Sequence, residues 1–279
     1  MTQTSPDSPL RTARLRGLLG LAPETLVFAL LAALFLYPQS LAPATRIAYV
    51  GDSLESVAIV GFVGQQAVEA PARLFDAGFL HPQKNALTLT DHRLLPSLAV
   101  APVLWTSRNP VLAYNTALLL VFLLAAFGGR ALGQAFGLGR LPAGFVGALF
   151  AFHTYAVNEA PRLNIVSHGF LAFALAALLR FREGGANRDR WLYAGFMLLQ
   201  GYSANYHLLY GVLLSILVIG CFLIEDPART LRELRGLIVP ALVAAVLFLP
   251  VAIPYLRTFA SLELQRPRPR GIDLLHYFS

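Results

Sequence analysis

The sequence predicts an all-α fold: a polytopic transmembrane helix bundle with a large first outer loop carrying interfacial helices. Three observations predict it. The 279 residues are 56% hydrophobic and only 13% charged, with a mean hydropathy of +0.60, too apolar for a water-soluble domain. Charge-free apolar runs long enough to cross a bilayer recur from Pro110 onward. All but one of the 22 basic residues are arginine, and most lie in short segments between those runs, which is how cytoplasmic loops are marked. The net charge of +7 is therefore a topology signal. It excludes nucleic acid as the expected partner and leaves the lipid bilayer.

Residues 1–23 read as a cytoplasmic tail, Ser/Thr/Pro-rich and then basic at Arg11, Arg14 and Arg16. The charge-free run from Thr25 to Thr45 reads as an uncleaved first helix, although Ala42-Pro43-Ala44 has the form of a signal-cleavage site. Residues 24–257 are taken as the bundle, with the outer loop at about 38–109, and 258–279 as an outer segment. Within the loop, Ser56 to Val68 and Leu94 to Ser107 are apolar but too short to cross, so both are expected to lie at the outer interface. Asn109-Pro110 then has the residues of a helix start, an N-cap followed by proline at the first helical position.

Further spans are expected at Pro110 to Gly129, Leu141 to Asn158, Leu163 to Leu179 and Gly236 to Leu256. The charge-free run Trp191 to Ile224 has 34 residues, which as one helix would be about 51 Å long, far beyond a hydrocarbon core of about 30 Å. It is expected to fold as a hairpin turning near Ser203-Ala204-Asn205. About seven spans result, with the N-terminus inside and the arginines at 130, 140, 180, 182, 188, 190, 229, 232 and 235 in cytoplasmic loops. Gly144 with Ala148, and Gly147 with Ala151, have the spacing that lets helices approach closely. Pro250 and Pro254 are expected to kink the last span. Cys221 is the only cysteine, so no intrachain disulfide exists, and neither a CxxC pair nor an HExxH helix is present.

On this topology the acidic residues of the loop and most histidines face one side. His153, Asn158, His168, Asn205, Tyr206 and His207 are expected to wall a cavity opening there, since polar groups within spans face the bundle interior. Asp52 has two readings. Asp52-Ser53-Leu54-Glu55 fits a helix N-cap with an acidic residue three positions on, and it equally fits a reactive carboxylate. Asp91, before His92-Arg93-Leu94, has the same two readings.

Resemblance favours the second. Gly51-Asp52 after a first span, Leu74-Phe75-Asp76 with His81-Pro82, LTLTDHR over 87–93, NPVLAYN over 109–115, AGFVGALFAF over 143–152 and SANYHLLY over 203–210 together resemble the multispanning GT-C glycosyltransferases of bacteria, particularly the YfhO-like branches. The resemblance covers most of 45–257 and implies an N-terminal portion of such a protein. It further implies a polyprenyl-phosphate-linked sugar donor, an envelope acceptor and a site on the outer face of the cytoplasmic membrane. Asp52 matches the family's reactive aspartate, and Asp91 is the expected second carboxylate. Glu55, His92, Arg93, Arg162, Tyr206 and His207 are expected to bind substrate. Departing phosphate needs a cation, for which Arg73, Arg93, Arg108, Arg162 and Arg257 are all open. The family's paired acidic motif is missing: Asp52 and Glu55 lie three apart and Asp91 is distant, so no metal ligands are assigned, and use of a divalent metal is left open but not indicated. A lipid-linked saccharide flippase is the alternative, disfavoured because no expected span carries a charge near its middle; a non-catalytic envelope-assembly protein is a third reading.

Overall fold

The computed structural model describes residues 9–184 and 186–261. Every regular element among them is helical. Helix α1 (Pro9–Phe35) begins inside the segment read as a tail. The long interruption holds α2 (Asp52–Glu69), α3 (Leu94–Ala99) and α4 (Ala101–Ser107). Then follow α5 (Pro110–Ala135), α6 (Arg140–Phe152), α7 (Thr154–Asn158), α8 (Leu163–Val166), α9 (Gly169–Gly184), α10 (Asn187–Ser203), α11 (Asn205–Glu225) and α12 (Pro227–Ser261). The outer segment expected at 258–279 is helical to Ser261 and otherwise lies outside the described residues.

Four stretches are long and apolar enough to cross a membrane: Pro110–Ala135, Leu163–Gly184, Asn205–Glu225 and Pro227–Ser261. The remaining expected spans are helices of lesser apolar length. Leu21–Phe35 and Arg140–Phe152 are shorter, and α10 opens on the polar run Asn187-Arg188-Asp189-Arg190.

Several elements differ from the sequence reading. The segment 94–107 is two short helices meeting at Val100, because Pro102 has no N–H to continue the first and is suited to opening the second. The span expected over 141–158 breaks at His153, whose extended backbone (ψ 155°) ends α6 and whose Nδ1 caps α7 by accepting the Ala156 N–H at 3.3 Å. A second break at Ser167-His168 separates α8 from α9. The last helix starts at Pro227, before its arginines, and carries Pro240, Pro250 and Pro254 within it. The hairpin is as expected: α10 and α11 are separated by Ala204 alone.

Helix α5 is the axis. An added Cβ at Gly147 of α6 would lie 2.3 Å from the Ala126 carbonyl, one at Gly129 2.6 Å from Phe150 Cβ, and one at Gly128 2.5 Å from the Gly169 carbonyl of α9. Glycine on both sides is what lets α6 and α9 reach the α5 backbone. Phe152 of α6 stacks between Phe122 of α5 and Phe35 of α1, each at 5.5 Å. By contrast only 11% and 17% of the apolar windows of α11 and α12 are covered by protein. Their leucine, isoleucine and valine faces suit lipid rather than water.

The helices alternate between two ends. At one, Glu24 of α1 pairs with Arg130 (2.6 Å) and Arg140, Arg180 pairs with Asp189, and Arg182 and Arg229 share Glu233. At the other lie α2, the 158–168 segment, the α10–α11 turn and the C-terminal part of α12, where Tyr255 donates to the Thr90 carbonyl at 2.9 Å.

The two small-residue pairs of α6 are not equivalent. Gly144 meets nothing within 4 Å, whereas Gly147 is pressed on α5. Gly147→Ala is expected to destabilise the purified protein by about 1–3 kcal/mol through overpacking, and Gly144→Ala to leave it unchanged or raise it by up to about 1 kcal/mol. Thermal unfolding in nanodiscs checks this; equal effects would put the α5–α6 contact elsewhere.

Candidate functional site

The site grows from the start of α2. Its N-cap is Gly51, at φ 136°, a conformation reserved to glycine; an added Cβ would also lie 2.9 Å from the Tyr49 ring. The capping reading of Asp52 is therefore replaced. Asp52 is the first helical residue and makes no cap bond. Its Oδ2 accepts from the Tyr49 hydroxyl at 2.6 Å and from Arg162 Nε at 2.7 Å. The Tyr49 hydrogen bond, and next the Arg162 guanidinium, hold its carboxyl below the usual carboxylate range. Placement at a helix N-terminus favours the same anion. Arg162 Nη1 reaches Glu159 at 2.6 Å, so the arginine sits between two carboxylates while its side chain stays 45% exposed.

One turn along α2, Glu55 faces the same way as Asp52. It accepts from Thr90 Oγ1 at 2.6 Å and from Arg93 Nη1 at 3.3 Å. The Arg93 side chain is 3% exposed, whereas that of Glu55 is 44% exposed. The guanidinium is carried mainly by Asn164, whose Oδ1 accepts from Nε at 3.3 Å and Nη2 at 3.0 Å. Arg93 holds a left-handed backbone, φ 48°, which for a residue with a Cβ costs on the order of 1–2 kcal/mol. That conformation is used: it lets three successive residues reach three elements. Asp91 Oδ1 accepts the first N–H of α11, at Asn205, at 3.1 Å. His92 Nδ1 accepts the first N–H of α3, at Leu94, at 3.1 Å. Arg93 reaches α2 and α8.

Asp91 caps α11 rather than the helix that follows it in sequence. Desolvation pushes its carboxyl up, partly offset by the Asn205 N–H and Arg93, and its Oδ2 has no hydrogen-bond partner. His92 is fully buried against Phe75 and Tyr255, and burial pushes it down to about 4. His207 Nε2 lies 2.7 Å from the Ile165 carbonyl. The rings of His153, His168 and His207 form a row with centroids 6.0 and 5.6 Å apart. Tyr206 is exposed.

The structure thus pairs Asp52 with Arg162 and Glu55 with Arg93, one turn apart on α2, with Asp91 and His92 directly before Arg93 in the chain. It leaves Tyr206 exposed and His207 on the Ile165 carbonyl, with neither bonded to those residues. Sequence reasoning missed Tyr49, Glu159 and Asn164 as partners. Tyr49 was legible, three residues before Asp52 in a polar stretch; Asn164 was not, because it lies within an apolar run read as a span. Among the described residues no group of three or more His, Cys, Asp or Glu is arranged to hold a metal ion. No family model, curated protein or solved structure matches the chain.

Two outcomes follow from the buried members. Asn164→Leu strands two guanidinium donors and is expected to cost about 2–3 kcal/mol, against about 1 kcal/mol for Glu55→Gln at its half-exposed position; chemical unfolding giving the reverse order would overturn the role assigned to Asn164. His92 is held neutral in the fold, with its pKa depressed from about 6.5 in the unfolded chain to about 4. Its contribution is fully present above pH 6.5 and is lost as pH falls to about 4, at no more than about 1.4 kcal/mol per unit. His92→Gln keeps an acceptor for Leu94 and is expected to flatten this part of a stability-versus-pH curve; an unaltered acid limb would show that His92 does not titrate there.

Proposed function

We propose that the chain is a membrane glycosyltransferase of GT-C type that moves a sugar from a polyprenyl-phosphate donor to an envelope acceptor at the outer face of the cytoplasmic membrane. The observation that carries this is the state of Asp52: an accessible, ionised carboxylate freed from capping by Gly51 and held beside an accessible arginine. The acceptor hydroxyl oxygen attacks the anomeric carbon, and its proton passes to the Asp52 carboxylate. The bond from that carbon to the phosphate oxygen breaks, its electron pair leaving with polyprenyl phosphate. Of the candidate arginines, Arg162 adjoins Asp52, and its Nη2 has no bond to the described residues, so it is the one suited to meet that phosphate. Arg93, buried and engaged, sets the field from below, and Asp91 holds α11 in place instead of reacting.

A lipid-borne donor is supported by an apolar cleft of about 290 Å³ between α3, α5, α9 and α10, lined by Leu95, Pro96, Val121, Phe170 and Leu199. Its lining begins two residues after Arg93. The separation of the arginine-rich end from the Asp52 end supports an orientation with the N-terminus inside, a multi-pass arrangement and an outer loop whose helices α2, α3 and α4 lie at the interface.

Asp52→Asn keeps the side-chain volume and an oxygen for Tyr49 or Arg162 but cannot take up the acceptor proton. In proteoliposomes supplied with radiolabelled polyprenyl-phosphate sugars, it is expected to lower release of polyprenyl phosphate by about 10²-fold to 10⁴-fold at unchanged protein level. Near-normal turnover would reduce Asp52 to an ion-pair partner, and loss confined to Asp91→Asn would move the base there.

A further inference from the structure

Two donors meet on one oxygen of Asp52. The Tyr49 hydroxyl, at 2.6 Å, and Arg162 Nε, at 2.7 Å, both donate to Oδ2. Oδ1 takes no hydrogen bond from the described residues, and with the side chain 32% exposed this oxygen stays open to solvent. The two oxygens of a carboxylate are equivalent only until donors hold one of them. Here the holding is built into the chain. Gly51, at φ 136°, lets the backbone turn between Tyr49 and Asp52 in a way open to glycine alone. The Tyr49 ring also occupies the space of a side chain at position 51: an added Cβ would lie 2.9 Å from its Cε2. Both properties of the glycine serve one contact, that of the Tyr49 hydroxyl with Oδ2.

We infer that Tyr49 is a positioning residue for the transfer proposed above, one that holds Oδ2 of Asp52 so that Oδ1 takes up the acceptor proton. The inference rests on that reading of the site. The acceptor O–H bond breaks, its proton passing to Oδ1 and its electron pair to the new bond at the anomeric carbon. Oδ2 then becomes the carbonyl oxygen of the acid and keeps both of its donors, so nothing has to move. A proton arriving at Oδ2 would instead have to displace Tyr49 or Arg162. Held by Arg162 alone, the carboxylate could turn either oxygen outward, and the acceptor would meet a well-placed lone pair only part of the time. The same bond sets when the base is available. Around Asp52 stand Tyr49 from the preceding loop, Arg162 and Glu159 from the 159–164 segment, Glu55 one turn on along α2 and, at longer range, Arg93. Of these, the Tyr49 hydrogen bond does most to hold the carboxyl below its usual range, with Arg162 next. The carboxylate in turn holds the Tyr49 phenol above its own.

Two measurements on the purified protein separate this role from the reaction it serves. The first uses no sugar donor: meta-fluorotyrosine is placed at position 49 and its titration is followed by fluorine NMR in nanodiscs. Its phenol is expected to titrate above the free amino acid, and to fall back toward it when Asp52→Asn removes the negative charge. A titration indifferent to Asp52→Asn would overturn the inference whatever the chain catalyses. The second is the pH dependence of polyprenyl-phosphate release in proteoliposomes, where the acid limb of kcat/KM reports the free base. Tyr49→Phe is expected to move that limb to higher pH, and to lower kcat on the plateau by about tenfold at unchanged KM. Meta-fluorotyrosine, a stronger donor, is expected to move the limb the other way. A purely structural role for Tyr49 predicts neither shift. Limbs left in place while Asp52→Asn is inactive would overturn the inference and leave the transfer reading standing; normal turnover by Asp52→Asn would remove that reading, and this inference with it. Should Tyr49→Phe fail to fold, the fluorinated protein, which keeps the hydroxyl, decides alone.

Discussion

A guanidinium with almost no contact with water, that of Arg93, is the constraint on which the rest of the site depends. Leaving such a group unpaired in a low-dielectric interior costs several kcal/mol, so its partners must be delivered whatever else the chain does. Glu55 comes from the interruption and Asn164 from the short helix before α9. Meeting this demand fastens the polar segment to the bundle. The two residues before Arg93 extend the same fastening, Asp91 to the start of α11 and His92 to the start of α3. Helix ends need acceptors for their first N–H groups, and here a distant loop supplies one of them.

The frame that holds these partners still is α5. Its Gly129 and Gly133 admit α6 on one side and its Gly128 admits α9 on the other at backbone distance. Its Tyr114 hydroxyl donates to the Pro161 carbonyl at 3.1 Å, which also accepts from Ser56 of α2 at 3.1 Å. The 159–164 segment is thereby tied to both the axis and α2 just where it presents Arg162 and Asn164. Asp52 meets Arg162 directly, while Glu55, one turn on along α2, reaches Asn164, two residues beyond Arg162, only through Arg93. The two links share one pair of backbones, so the geometry of Asp52 is set by the packing of the buried Arg93 guanidinium.

Charge follows the same division. Arginines at one end of the bundle are paired with Glu24, Asp189 and Glu233 and cover helix ends, and Arg229 also donates to the Arg182 carbonyl. At the other end carboxylates stand beside cations, and the half-buried Asp52 next to Arg162 has its carboxyl held below the usual range.

The sequence by itself determined what local patterns control. Hydropathy and length dictate helices, excess length forces the break at Ala204, and Asn109-Pro110 starts α5, with Asn109 Oδ1 accepting the Leu112 N–H at 3.0 Å. It also drew attention to Asp52, Glu55, Asp91, Arg93 and Arg162, since charges in so apolar a chain are costly and few. What it left open was decided by contacts between residues far apart in the chain. Asp52 and Arg162 are 110 positions apart, and Asp91 and Asn205 are 114 apart. Spacing made Asp52 a cap, but the cap fell to Gly51 because only glycine takes its φ of 136°. Spacing made Gly144 and Gly147 equivalent, but only Gly147 faces α5. Local sequence fixes which conformations a residue tolerates and which faces are apolar; the partner of each polar atom is chosen only when the helices pack, because burial then penalises every donor and acceptor left without one.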